Sequence, residues 1–74
     1  MQQSEPREEF SARVQAGILI RGRVRAFLEA EKFSGRDIQW IESRGFLESL
    51  FTIQGGKEDV TYVYRALIDA GMES

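Results

Sequence analysis

The side chains that most often perform chemistry in proteins are missing from this sequence. None of its 74 residues is a cysteine or a histidine, so the chain lacks a thiol nucleophile, an imidazole base and the commonest zinc ligands. Glu29 and Glu31 form no catalytic pair, because residues two apart on a predicted helix do not face each other. Glu58 and Asp59 fit the positive end of a second predicted helix. We therefore expect a protein that is not an enzyme and has no catalytic residue, cofactor or metal site.

A short glycine motif suggests phosphate binding but lacks the residues that this chemistry needs. Gly55-Gly56-Lys57 precedes a predicted helix, whose N-terminus favours anions. A phosphate loop needs an earlier glycine and a serine or threonine after the lysine, whereas here two acidic residues follow and would repel phosphate. A dyad of Lys32 or Lys57 with a serine stays a conjecture, because the sequence fixes no base beside any serine. We interpret the two glycines as turn residues.

An arginine cluster is the main charge feature. Residues 13–25 contain no acidic residue and hold four arginines: Arg13, Arg21, Arg23 and Arg25. On a helix Arg21 and Arg25 share a face, and Arg25 can meet Glu29 one turn later. The cluster predicts either a phosphate-binding patch or a solvated helix face. No aromatic residue is interleaved with the arginines, which argues against recognition of single-stranded nucleic acid.

The composition favours one small globular domain. The chain is 42% hydrophobic and 30% charged, with a net charge of −2. A chain this short buries about 60% of its unfolded surface, so we expect a thin stability margin and support from a second subunit. No apolar run approaches the ~18 residues that span a membrane, and the polar start does not resemble a signal peptide. We expect a cytoplasmic protein without a membrane partner, with a disordered lead-in at residues 1–9 and one domain at residues 10–74.

Two periodicities predict the first half of this domain. Apolar residues alternate with polar ones over residues 10–17, which predicts a half-buried strand. The alternation could continue to Val24 as one very long strand, but helical spacing fits equally well, and we place a helix after about residue 19. Ser34-Gly35 is a plausible end for this helix.

A hairpin and a second helix complete the predicted domain. Residues 37–43 and 46–54 read as strands joined by Arg44-Gly45, which would set Trp40 opposite Ser49. A slip of one residue would exchange the two sheet faces. Residues 57–70 have the clearest helical spacing, and Gly71 is a natural cap.

The element order predicts an α+β fold, a small β-α-β-β-α two-layer domain. We expect a three-stranded antiparallel sheet, with the first strand antiparallel to the third and both helices on one face. The order resembles a ferredoxin-like sandwich that lacks its last strand. This resemblance concerns element order alone and implies no particular function.

The uncovered sheet face predicts an interaction surface. In the expected register it carries Ile41, Phe46 and Leu50 among polar side chains, and an apolar cluster with a polar rim marks a contact site. We predict a non-enzymatic protein-interaction module, a homodimer or a partner of another protein, that uses this face or an exposed strand edge. The alternative is a nucleic-acid or anion-binding domain that uses the arginine cluster.

Overall fold

The computed structural model describes residues 8–72. Within these residues it has five elements: β1 (Glu9–Gly17), α1 (Arg21–Phe33), β2 (Ile38–Arg44), β3 (Glu48–Gly56) and α2 (Lys57–Asp69). The strands form one open sheet in the order β1-β3-β2, and both pairings are antiparallel. The predicted α+β class, element order and pairing of the first strand with the third are confirmed.

One face of the sheet and both helices enclose the core. Buried apolar side chains come from all five elements: Val14, Ala16, Val24, Leu28, Ile38, Phe51, Ile53, Val60, Val63 and Leu67. The strand residues in this set follow period two and the helix residues follow the helical period, as expected for half-buried elements. Both helices therefore lie on the same side of the sheet, and its other side carries no helix among residues 8–72.

The helix ends agree with the expected stop signals. α1 is capped at Ser34 and α2 at Ala70, and each cap is followed by a glycine with positive φ: 104° at Gly35 and 71° at Gly71. Glycine takes this conformation without the steric cost that a Cβ would add.

The expected start of the domain needs a small correction. Glu9 is already part of β1, and the carbonyl of Glu8 accepts a 3.0 Å hydrogen bond from the backbone N–H of Lys57. This bond and the β1–β3 pairing hold the chain at Glu8 and Glu9, which we had assigned to the lead-in. The rest of the predicted lead-in, residues 1–7, lies outside the described residues.

The predicted hairpin register is wrong by four residues. Trp40 pairs with Ile53 rather than Ser49, and β2 runs on to Arg44. The turn contains Phe46 and Leu47, and the Gly45 N–H donates to the Glu48 carbonyl at 2.7 Å.

Gly45 explains this error. A Cβ there would lie 2.8 Å from the Glu48 carbonyl oxygen, so the glycine permits a close approach between the strands and does not occupy the centre of the turn. An even shift keeps every strand residue on its expected face, because side chains alternate with period two. Phe51 and Ile53 are therefore core residues, as predicted. Leu47, which was expected on the core face, is exposed in the turn.

Candidate interaction surfaces and the polar network behind them

β1 is an outer strand of the sheet. Its inner side pairs with β3 along its whole length, and no strand within residues 8–72 pairs with its outer side. The strand has nine residues and contains no proline, and Arg13 is the only charged residue between Phe10 and Ala16. Such an edge has few of the features that prevent pairing with another strand. The other outer strand, β2, is shorter and has charged residues at Glu42 and Arg44.

Phe10 lies on the helix-covered face of β1 but is incompletely buried. Val14 and Ala16 on the same face are fully buried, whereas Phe10 is 41% exposed. Its pairing residue in β3 is Gly55, which has no side chain to cover the ring. Phe10 is therefore an exposed apolar side chain near the start of β1, outside the packed core.

The structure separates the three residues that were predicted to form the interface. Ile41 and Leu50 lie on the open face of neighbouring strands in diagonal positions, because Ile41 pairs with Thr52 and Leu50 with Ser43. Ile41 is 68% exposed, whereas Leu50 is partly buried. Phe46 is not on this face, since it lies in the hairpin turn. The open face thus has two apolar side chains among polar ones.

A larger group of exposed apolar side chains lies at one end of the sheet. β1 ends at Gly17, which pairs with Glu48 at the start of β3, so the turn after β1 lies beside the hairpin turn. We call the four exposed large apolar residues of these turns the apolar tip; they are Ile18, Leu19, Phe46 and Leu47. Leu19 is 92% and Phe46 88% exposed. Sequence reasoning missed this group because its members are far apart in the chain and meet only through the strand pairing.

A polar network on the core side fixes α1 to the hairpin. Arg25 donates two hydrogen bonds to the Glu42 carboxylate, from Nε at 2.8 Å and Nη2 at 2.9 Å. The buried Ser49 hydroxyl donates to the same carboxylate at 2.7 Å. Arg21 donates to the Gly45 carbonyl at 2.8 Å, so it links α1 directly to the turn. These contacts hold the two loops of the apolar tip together.

The network lowers the pKa of Glu42 to about 2 from the ordinary 4.5. The main cause is the hydrogen bonding from Arg25, and the Ser49 hydroxyl and the charges of Arg25 and Arg44 act in the same direction, whereas desolvation opposes them. A carboxylate with so low a pKa is a poor general base. The Ser49–Glu42 contact is thus part of the hydrogen bonding that stabilises the ionised carboxylate.

The network was partly visible in the sequence. Glu42 and Ser49 are polar residues on a strand face that is otherwise apolar, and such residues need a partner when they are buried. Arg25 was expected to pair with Glu29, but it pairs with Glu42 on β2 instead. A bidentate contact with a partly buried carboxylate contributes more to stability than an exposed ion pair along one helix.

The arginine cluster does not form one patch. Arg13 lies on the open face of β1, whereas α1 packs on the opposite face of the sheet. Arg25 is held by Glu42, and Arg21 by the hairpin turn. Arg23 is exposed and has no side-chain partner within residues 8–72.

A second ionic group lies at the opposite end of the sheet. Arg36 bonds to Glu31 at 3.0 Å and to Asp59 at 3.1 Å, which joins the end of α1 to the start of α2. Its guanidinium lies 3.8 Å from the centre of the Tyr62 ring. The exposed Tyr62 ring thus already has an intramolecular contact.

Comparisons with known proteins add no relative. No protein-family model matches the chain, and neither a curated protein nor a solved structure is similar to it. No helix in the described part of the chain is long and apolar enough to cross a membrane. Function must therefore be argued from the surfaces themselves.

Proposed function

We propose that the protein is a non-enzymatic interaction module that forms a homodimer by pairing β1 with β1 of a second copy. The observation that carries this proposal is the long outer edge of β1, with the exposed apolar side chain of Phe10 on the same strand. An added strand would satisfy the backbone groups of that edge and cover Phe10. The ferredoxin-like resemblance and the cytoplasmic location remain part of the proposal.

The charges on β1, the length of the overlap and the position of Phe10 together favour one register. If the two copies form one continuous sheet with all helices on one side, their β1 strands must be antiparallel. One residue of β1 then lies opposite the same residue of the second copy, and we call this residue the centre of the register. Pairing about Arg13 would set two arginines opposite each other, which is unfavourable. Pairing about Ala12 sets Arg13 opposite Ser11 of the second copy, and Phe10 opposite Val14 of the second copy. Pairing about Ser11 would set Arg13 opposite Glu9 but would match only residues 9–13 of the two strands, and pairing about Val14 would leave Phe10 outside the paired segment. We therefore propose the register centred on Ala12.

Charge changes at Ser11 test this register by sedimentation equilibrium. Ser11→Arg would face Arg13 of the second copy and weaken the dimer, whereas Ser11→Glu would strengthen it. Each dimer contains two such pairs, so the dissociation constant should change by about two- to thirty-fold in each direction. Gln39→Arg is the matched control, because Gln39 is exposed on the distant strand β2. A protein that stays monomeric at high micromolar concentration would refute the dimer.

The open sheet face is the competing interface. Leu50→Glu places a charge beside Ile41 on this face but away from the edge of β1. The edge proposal predicts unchanged association for Leu50→Glu. Dissociation by Leu50→Glu together with normal association of Ser11→Arg would assign the dimer to the open face.

The alternative function, nucleic-acid or anion binding by the arginine cluster, rests on fewer residues than expected. Arg13 is on the opposite side of the sheet from the helical arginines, and Arg25 is neutralised by Glu42. Salt-dependent retention on heparin is the discriminating experiment, since phosphate contacts weaken as salt rises. Absence of retention at low salt would eliminate this alternative.

A further inference from the structure

We propose that the apolar tip is a docking site for the surface of an anionic phospholipid membrane. The tip consists of Ile18, Leu19, Phe46 and Leu47, and it is separate from the edge of β1. The expectation of no membrane partner came from the lack of a spanning segment. Contact with a membrane surface needs no such segment, because side chains can insert at the boundary between headgroups and acyl chains.

The exposure of the tip cannot be explained by the needs of the fold. Leu19 and Phe46 are almost fully exposed in turns, where polar residues and glycine are usual. Both turns are nevertheless held in place, since Arg21 bonds across to the Gly45 carbonyl. Fixed turns present their apolar side chains together in one direction, which lowers the ordering cost of inserting them.

The charges around the tip fit an anionic surface. Arg21 and Arg23 follow the first turn, and Arg44 precedes the second; the Arg44 side chain is 60% exposed, although its Nε lies 3.6 Å from the Glu42 carboxylate. The acidic residues nearest in sequence to the hairpin turn are already hydrogen-bonded, Glu42 to Arg25 and Glu48 to Gln15. Arginines beside inserted apolar residues attract anionic headgroups, at about 1 kcal/mol each near the surface.

The opposite end of the sheet has the opposite charge character. Three basic residues lie there, Lys32, Arg36 and Lys57, and the last two are ion-paired with acidic neighbours. They are outnumbered by five acidic residues from loops and helix ends: Glu8, Glu31, Asp37, Glu58 and Asp59. These residues would be held away from an anionic bilayer when the tip is inserted. Among the described residues of the C-terminal segment, the acidic residue that returns towards the tip is Asp69, in the last turn of α2. The overall charge distribution therefore orients the tip towards the membrane, even though the net charge is −2.

A second copy fits the tip less well than a membrane does. Two tips facing each other would bring Arg21, Arg23 and Arg44 of both copies together, which is unfavourable. In the proposed β1 dimer the strands are antiparallel, so the two tips lie at opposite ends. Each copy can then meet a membrane alone, and docking does not depend on dimerisation.

Vesicle co-sedimentation tests the proposal with the full chain. The probes are vesicles of phosphatidylcholine with phosphatidylserine and vesicles of phosphatidylcholine alone. We expect binding to the mixed vesicles that falls with added salt and is much weaker on the neutral ones. The double variant Leu19→Ser/Phe46→Ser should bind about tenfold more weakly or worse. Arg23→Gln should also weaken binding, because it removes an exposed charge that has no side-chain partner among residues 8–72.

The control is Phe33→Ser, which removes a side chain that is 93% exposed at the other end of α1. It should bind vesicles as the wild type does, and so should Ser11→Arg. Thermal unfolding checks that each variant is folded, which is expected since the replaced side chains are exposed.

Three results would overturn the proposal. These are no binding to the mixed vesicles at low salt, equal binding by the double variant, and equal binding to neutral vesicles. Loss of self-association in the double variant without vesicles would also overturn it, because the tip would then belong to a protein interface. Loss of association in Ser11→Arg alone concerns the β1 edge and leaves the tip unaffected.

Discussion

Replacing Glu42 with glutamine tests how the polar network holds α1 on the hairpin. Glutamine keeps the shape of the side chain and can still accept a hydrogen bond from Ser49. It removes the negative charge to which Arg25 donates two hydrogen bonds. The variant therefore isolates the ionic part of the network from its packing.

The pKa of Glu42 sets the size of the effect. Folding lowers it from 4.5 to about 2, and one pKa unit corresponds to 1.36 kcal/mol, so the upper bound on stabilisation is about 3 kcal/mol. The Arg25 side chain is 35% exposed, and solvent screening reduces the net value. We expect Glu42→Gln to lower the free energy of unfolding by about 1–2 kcal/mol at pH 7.

The lowered pKa of Glu42 also predicts that the free energy of unfolding depends on pH. Because the folded-state pKa is below the unfolded one, the contribution of Glu42 is fully present above about pH 4.5 and is lost as the pH falls towards 2. The difference in free energy of unfolding between the wild type and Glu42→Gln should therefore become smaller as the pH falls through this range.

Urea unfolding at a fixed protein concentration measures both effects. The probe is the fluorescence of Trp40, the only tryptophan, whose ring centre lies 5.9 Å from that of Phe51. The control is Glu48→Gln, because Glu48 is exposed and bonds to Gln15 alone among the described side chains. Wild-type stability of Glu42→Gln at pH 7, or a difference that stays constant down to about pH 2, would refute the reasoning.

Three further predictions concern the two faces of β3, the close approach at Gly55 and the open space at Gly22. Phe51→Ala should lower the free energy of unfolding by roughly 3–5 kcal/mol, whereas Leu50→Glu on the open face should leave the domain folded. Thermal unfolding measures both, and equal destabilisation by the two variants would contradict the face assignment. Gly55→Ala should destabilise by at least about 3 kcal/mol, because a Cβ there would collide with the Asp37 carbonyl. Gly22→Ala, in open space on α1, should stabilise by about 0.5–1 kcal/mol in the same urea assay, and a loss of stability would contradict this.

The predictable part of the fold is the part that local periodicity determines. Alternation over β1 and helical spacing over α2 predict which side chains face the core. The face assignment of the hairpin strands is also correct, because the register error is an even number of residues. The register itself depends on contacts between strands. Gly45 looked like a turn residue, but its role is the close approach to Glu48, which no local pattern encodes.

The candidate sites were less predictable for the same reason. Phe46 was expected on the open face together with Ile41, and it lies instead in a turn beside Leu19. The partner of Arg25 was sought on its own helix, although a carboxylate on a neighbouring strand offers better geometry and more burial. Both features depend on residues that are distant in sequence, and these are brought together by the sheet.

Disulfide cross-linking is the most direct test of the proposed β1 dimer, because the chain has no cysteine of its own. In the register centred on Ala12, a Ser11→Cys chain and an Arg13→Cys chain place their thiols directly opposite each other, at about 5 Å between Cβ atoms. Identical copies of either variant place them diagonally, at about 7–8 Å. The account predicts that a mixture of the two variants gives far more covalent dimer than either variant alone. No covalent dimer in the mixture, or equal yields in all three samples, would contradict the pairing of β1 with β1.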